Sequence, residues 1–315
     1  MAASGLRRRA GVALWVAACV AGGCAVERVT AVDLIESGAE DGAIAGGGDA
    51  SIDGTGYETS SSSSGGESGV PKLECTDASA AYTTSAAEGQ FDYGGGRFIR
   101  NDVWNIEAGA GPQTLSACSY SSFNVVANEP NTTVVKSYPD VQMDFQPSGA
   151  ANGTGVPLDS FKSITSTFAE VGPDAGLYEY AYDIFVNSGD GQGATQILIW
   201  VDVHGNRMPA ANEVETEVSL GQPNDVSYDV YETDNGDGGN GGHYVVFVAN
   251  RYFSSGPMDV LAFLTYASGK GWIPPDAVLN QICFGVEICE TGDGGSTFEF
   301  TDFSLTAPAN TATDN

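Results

Sequence analysis

Gln196-Ile197-Leu198-Ile199-Trp200 lies at the centre of Thr195–Val203, a stretch of β-branched and aromatic residues that reads as a largely buried strand. Side chains two apart on a strand share a face, so Gln196, Leu198, Trp200 and Asp202 are expected to line one surface. Working outward, the chain continues in the same manner. Thr132–Ser137, Ser163–Ala169, Glu179–Asn187, Val214–Leu220, Asp225–Glu232, His243–Ala249, Gln281–Glu287 and Ser296–Leu305 are rich in Val, Ile, Thr, Tyr and Phe. Clusters of Gly, Asn and Asp, such as Ser188-Gly189-Asp190-Gly191, separate them as turns. One stretch breaks the pattern. Met258 to Tyr266 carries apolar residues at 258, 260, 261, 263 and 264, a helical spacing, with Pro257 suited to a first turn and Gly269 to a stop. Many strands and one late helix predict an all-β fold, a β-sandwich jelly roll of two curved antiparallel sheets with one α-helix.

Not all 315 residues are expected in that sandwich. Arg7, Arg8 and Arg9 precede an apolar run from Ala10 to Gly23, too short to span a bilayer as a helix. This is the form of an export signal. Its end, Ala21-Gly22-Gly23-Cys24, resembles a lipobox, which makes Cys24 a candidate for lipidation and the membrane a partner only through that anchor. Loss of residues 1–23 takes three arginines and no acid, so the formal charge moves from −29 to −32. Such an acidic chain repels phosphate backbones, which argues against nucleic acid. Residues 24–72 read as a disordered tether, dominated by Gly, Ser, Asp and Glu from about Ile35 to Pro71. A flexible linker of about 37 residues, the length of that stretch, reaches about 30–35 Å. The folded domain is expected over 73–307 as a monomer, with 308–315 a disordered tail.

Five segments in order carry a family resemblance. They are Asn101-Asp102-Val103-Trp104, Lys136-Ser137-Tyr138-Pro139, Ala181-Tyr182-Asp183-Ile184-Phe185, Gln196–Trp200 and Phe284-Gly285-Val286-Glu287. Gly205, Pro209 and the helix fall between the last two, and Gly292 lies beyond them. Together they resemble glycoside hydrolase family 12, small concanavalin A-like jelly-roll endoglucanases and xyloglucanases. The resemblance implies a β-1,4-glucan ligand, such as cellulose, xyloglucan or mixed-linkage glucan, and no cofactor or metal. It implies Glu287 as acid/base, residue 196 as nucleophile and Asp183 as an assisting carboxylate. It further implies substrate contacts from Asn101, Trp104, Tyr138, Leu198, Trp200 and Pro209, and an N-terminal disulfide between Cys75 and Cys118. Asp102, Leu198 and Ile288-Cys289 depart from the family's usual residues. For Cys283 and Cys289 both outcomes stay open. A straight strand would hold them roughly 20 Å apart, and a sharp bend after Glu287 would bring them within disulfide reach.

The decisive departure is Gln196, where the family carries Glu. A retaining glycosidase sets two carboxyls about 5–5.5 Å apart, one attacking the anomeric carbon and one protonating the leaving oxygen. A Gln amide has no anionic oxygen, so hydrolysis is expected to fall by about 10⁴-fold or more. Binding need not fall, because the amide still donates and accepts hydrogen bonds. Asp183 or Asp202 taking over as nucleophile is the competing reading, as is a core role for Trp104 and Trp200. The two histidines, His204 and His243, give little support for zinc or a Ser-His-Asp triad. Asp234-Asn235-Gly236-Asp237-Gly238 lacks the spacing of an EF-hand calcium loop.

Overall fold

In the computed structural model, residues 75, 79–146, 154–191, 193–234, 242–292 and 294–309 are described. The export signal, the whole tether, the Asn235–Gly238 loop and the last six residues lie outside them. The strands among the described residues are β1 (Tyr82–Thr84), β2 (Gln90–Gly94), β3 (Arg97–Arg100), β4 (Gln113–Ser119), β5 (Ser122–Ala127), β6 (Asp140–Asp144), β7 (Val156–Pro157) and β8 (Thr165–Val171). They continue as β9 (Leu177–Asn187), β10 (Ala194–His204), β11 (Asn212–Ser219), β12 (Ser227–Asp234), β13 (His243–Ala249), β14 (Ser255–Asp259), β15 (Val278–Glu290) and β16 (Ser296–Thr306). The helix α1 (Val260–Lys270) joins β14 to β15.

Two sheets form the expected sandwich. The smaller has the order β1-β4-β5-β16-β8-β14, and the larger β11-β12-β13-β10-β9-β15-β6-β3-β2, with β7 also pairing β15. All named pairs are antiparallel except β10 with β13, which run parallel. The core lies between the sheets. β9 contributes Tyr178, Tyr180, Tyr182, Ile184 and Val186, β10 contributes Ile197, Ile199 and Val201, and β15 contributes Ile282, Phe284, Val286 and Ile288. Phe284 lies 4.7 Å from Phe168 and 5.9 Å from Phe300, both on the smaller sheet, so aromatic contacts bridge the layers. Helix α1 turns Phe263 onto Tyr228 and Phe247, on the same inner side of the larger sheet.

The helix starts later than its periodicity suggests. Met258 and Pro257 belong to β14, and Asp259 caps the helix by accepting a hydrogen bond from the Ala262 amide. The stop is Gly271, in the left-handed conformation that glycine adopts without strain, while Gly269 sits inside the helix. Thr132–Ser137 forms no strand. Its end docks along β15 through Lys136 N–H to Ile288 O (2.9 Å) and Ile288 N–H to Ser137 O (3.1 Å). Cys75 and Cys118 form the expected disulfide, closing a separation of 43 residues. By loop entropy it contributes about 4 kcal/mol. Cys283 and Cys289 are free and buried.

Candidate functional site

The register of three strands places the candidate residues. On β9, Asp183 faces Leu198 of β10 on one side and Cys283 of β15 on the other. Two residues along, Phe185 faces Gln196 and Gln281. In the other direction Glu179 faces Glu287. All these residues share a parity opposite to the core residues, so they lie on the outer face of the larger sheet. A separate apolar cluster of Ala181, Leu198, Trp200, Val203, Tyr231 and Val246 marks that face.

Asp202 does not belong to it. The β9–β10 register shifts between Trp200 and Asp202, so Asp202 faces Tyr180 and turns to the inner side. The bulge corrects the expectation of four residues on one surface, because the extra residue inverts the alternation. Asp202 meets His204 at 3.1 Å instead, and His204 stacks on Tyr178.

Gln196 and Asp183 are locked together. The Gln196 amide nitrogen donates to both Asp183 oxygens, each at 3.1 Å. Burial pushes the Asp183 carboxyl well above its ordinary range, the amide of Gln196 pulls it down, and the charge of Glu287 pushes it further up. The same charges meet at Tyr244, the parallel-ladder partner of Gln196. Its hydroxyl is raised by burial and then by Glu287, Glu179 and Asp183. Gln196, Asp183 and Glu287 therefore belong to one electrostatic cluster.

Glu287 is held by a residue the sequence reading did not single out. Arg207 donates from Nε to Glu179 Oε2 (2.6 Å) and from Nη2 to Glu179 Oε1 (2.5 Å). It also donates from Nη2 to Glu287 Oε2 (2.9 Å). The Glu179 side chain is wholly buried, and those of Arg207 and Glu287 are 13% and 16% exposed. Burial pushes Glu179 well up, the adjoining Glu287 adds to this, and Arg207 pulls the other way. The arginine is delivered by the turn after β10. Gly205 has φ 73°, and a Cβ there would lie 2.7 Å from Leu177 Cδ1, so the turn requires glycine. The guanidinium then folds back over the Trp200 ring, 5.3 Å from its centroid.

The remaining candidates divide by exposure. Trp200 and Leu198 are buried at 1% and 0%, with Arg207 on the indole, so neither stands open to a ligand in this structure. Asn101 is also closed. Its amide donates to Ala86 O, and its side-chain oxygen accepts from Gln113. Tyr138 donates its hydroxyl to Ala181 O, beneath the same face. Trp104 and Pro209 remain partly exposed. Gly285 also has a steric role, since a Cβ there would meet Pro139 O at 2.5 Å and Asp140 Cβ at 2.9 Å. Two of the matched segments, Lys136–Pro139 and Phe284–Glu287, thus touch directly. Among the described residues, no group of three His, Cys, Asp or Glu is placed to hold a metal ion.

The sequence profile described as Glycosyl hydrolase family 12 matches residues 96–307. The chain belongs to that family. Endoglucanase S of Pectobacterium parmentieri is 29% identical over 234 residues, covering 70% of this chain and 86% of that protein. Among solved structures, the xyloglucanase domain of NopAA from Sinorhizobium fredii, in complex with cellobiose, is 26% identical with a TM-score of 0.60. The alignment covers 72% of this chain and 99% of that one. A family 12 xyloglucanase from Bacillus licheniformis is also 26% identical, with a TM-score of 0.59, over 72% of this chain and 100% of that one. The jelly-roll sandwich and the endoglucanase and xyloglucanase lineage follow from these relations.

Proposed function

We propose that this family 12 protein recognises β-1,4-glucan chains at the outer face of β9, β10 and β15, and that its hydrolysis is impaired at residue 196. The observation that carries this reading is the Gln196 amide donating to both oxygens of Asp183. A nucleophile needs an anionic oxygen to form the glycosyl ester. An NH2 group directed at Asp183 makes that carboxyl an acceptor, so the partner suited to tune a nucleophile becomes the anchor of an amide. Glu287 is the acid/base of this lineage, and Trp104 and Pro209 are the exposed candidates for sugar contact.

A second reading is favoured by the same substitution together with Cys24. The protein would be a non-catalytic glucan-binding lipoprotein, exported and held at the outer membrane through a lipid on Cys24, with residues 24–72 as its tether. Either reading gives a monomer that binds β-glucan, uses no cofactor and does not engage nucleic acid. Calorimetric titration with cellotetraose and xyloglucan oligosaccharides, followed by chromatography of the incubated sugars, tests the proposal. Binding with the sugars recovered intact supports it. Absence of binding, or rapid cleavage by the unaltered chain, contradicts it.

A further inference from the structure

The guanidinium of Arg207, which reaches from Trp200 of β10 over Glu179 of β9 to Glu287 of β15, marks a second departure from a working site. A general acid must present an O–H to the glycosidic oxygen as the bond between that oxygen and the anomeric carbon breaks. An oxygen that accepts an N–H from a guanidinium is disfavoured as the carrier of that proton, which leaves the carboxyl its other oxygen alone for the task. Glu287 Oε2 accepts from Arg207 at 2.9 Å. Arg207 in turn has little freedom to leave. Two short bonds to the wholly buried Glu179 and the face of Trp200 hold it on three sides. A bidentate arginine–carboxylate pair is both strong and directional.

We propose that Arg207 is a positioning residue that ties up Glu287 Oε2 as a hydrogen-bond acceptor, leaves only Oε1 to carry a proton, and so hinders leaving-group protonation independently of Gln196. The inference rests on the assignment of Glu287 as the acid and residue 196 as the nucleophile position. Restoring the nucleophile alone then restores half of the chemistry. In Gln196→Glu the new carboxylate can form the ester to the anomeric carbon. The electron pair of the breaking bond goes to the leaving oxygen, which still lacks its proton. An aryl glycoside whose phenolate leaves without protonation avoids that requirement, whereas a glucan does not.

The test compares Gln196→Glu with the triple variant Gln196→Glu/Glu179→Gln/Arg207→Met on two substrates, 2,4-dinitrophenyl β-cellobioside and a soluble mixed-linkage β-glucan. Glu179 and Arg207 are replaced together because removing the cation alone strands a buried carboxyl. The expected result is fast aryl cleavage by both variants, with glucan kcat at least about 10²-fold higher in the triple variant, the scale of a general-acid contribution. The pH profile for glucan should gain an acidic-group limb in the triple variant only. Equal glucan rates in the two variants would overturn the proposal. So would a triple variant that folds, cuts the aryl substrate and gains nothing on glucan. Should the triple variant not fold, Gln196→Glu/Arg207→Lys keeps the charge and loses the planar fork, and the same glucan-to-aryl rate ratio is read. No cleavage of either substrate by any folded variant would overturn the nucleophile assignment and this inference with it. Oligosaccharide binding, measured separately, shows whether the glucan cleft survives that outcome.

Discussion

Two carboxyl pairs flank the same stretch of β9 and β10, on opposite faces, and they are stabilised differently. On the inner side Glu170 of β8 hydrogen-bonds Asp202, with His204 on the other side of Asp202. Burial, and then the charge and hydrogen bond of Asp202, raise the Glu170 carboxyl to about 8. Burial and the neighbouring Asp202 thus favour the protonated form of Glu170. On the outer side Glu179 and Glu287 face each other across β9 and β15, and a guanidinium bridges them. Two neighbouring carboxyls in a low-dielectric site need either a proton or a cation between them. The inner pair uses the proton, a structural solution that depends on pH. The outer pair adds Arg207 to a carboxyl–carboxyl hydrogen bond of its own, and the cation sits on Glu287, the carboxyl proposed as the acid.

The largest expected effect lies at the outer face. Gln196→Glu should raise hydrolysis of 2,4-dinitrophenyl β-cellobioside by about 10³–10⁴-fold, the reverse of a nucleophile knockout. Phenolate release at fixed enzyme concentration checks it, and an unchanged rate would remove residue 196 from the chemistry. Arg207→Met alone should destabilise the fold by about 3–5 kcal/mol, because Glu179 is left buried without its cation. Glu179→Gln/Arg207→Met should lie within about 2 kcal/mol of the parent. Urea unfolding of the two variants distinguishes an ion pair from simple packing over Trp200.

The inner pair predicts a pH effect of defined sign. Glu170 has a folded value of about 8 against an ordinary 4.5. Its stabilising contribution is therefore complete below about pH 4.5 and is lost as pH rises through about 8. Asp202, His204 and Tyr178 are the titratable groups around it. Glu170→Gln should flatten the decline in stability between those limits by about 2–4 kcal/mol. Thermal melts at pH 5 and pH 8.5 measure the difference, and parallel curves for parent and variant would show that no proton holds the inner pair. The smallest effect concerns the cleft rim. Trp104→Ala should weaken cello-oligosaccharide binding by about 1–2 kcal/mol, roughly tenfold. Unaltered affinity in calorimetry would make Trp104 a structural residue.

The fold was legible where burial is two-sided or alternation strong. β9, β10, β13, β15 and β16 lie close to their sequence limits, because runs such as Ile197–Val201 leave no other reading. The early strands β2 to β6 were not read. In β2 and β3, Tyr93, Arg97 and Arg100 interrupt the apolar pattern, and these strands are set by pairing with β15 through β6, while β4 and β5 join the smaller sheet through β16. Thr132–Ser137 had the composition of a strand but was shaped by Lys136. That buried lysine donates to Pro130 O and Cys289 O and fixes the segment as a strut. The ordered motifs pointed to Gln196, Asp183 and Glu287, and the strand register puts the three on one face. The inward turn of Asp202 was not legible, since a bulge leaves no periodic signature. Arg207 was also missed. Its only signal was a cation, one of 12 in a chain with 41 acids, standing between Gly205 and Pro209. Its significance depends on Glu179, a residue 28 positions away that only the β9–β15 register brings to Glu287.

The measurement that bears most directly on the central claim is reducing-sugar release from mixed-linkage β-glucan and xyloglucan, by the unaltered chain and by Gln196→Glu side by side. The account predicts no release by the unaltered chain and slow, measurable release by the variant, with oligosaccharide affinity retained in both. Release by the unaltered chain at a rate equal to or above that of the variant would contradict it, since a carboxyl other than residue 196 would then be the nucleophile.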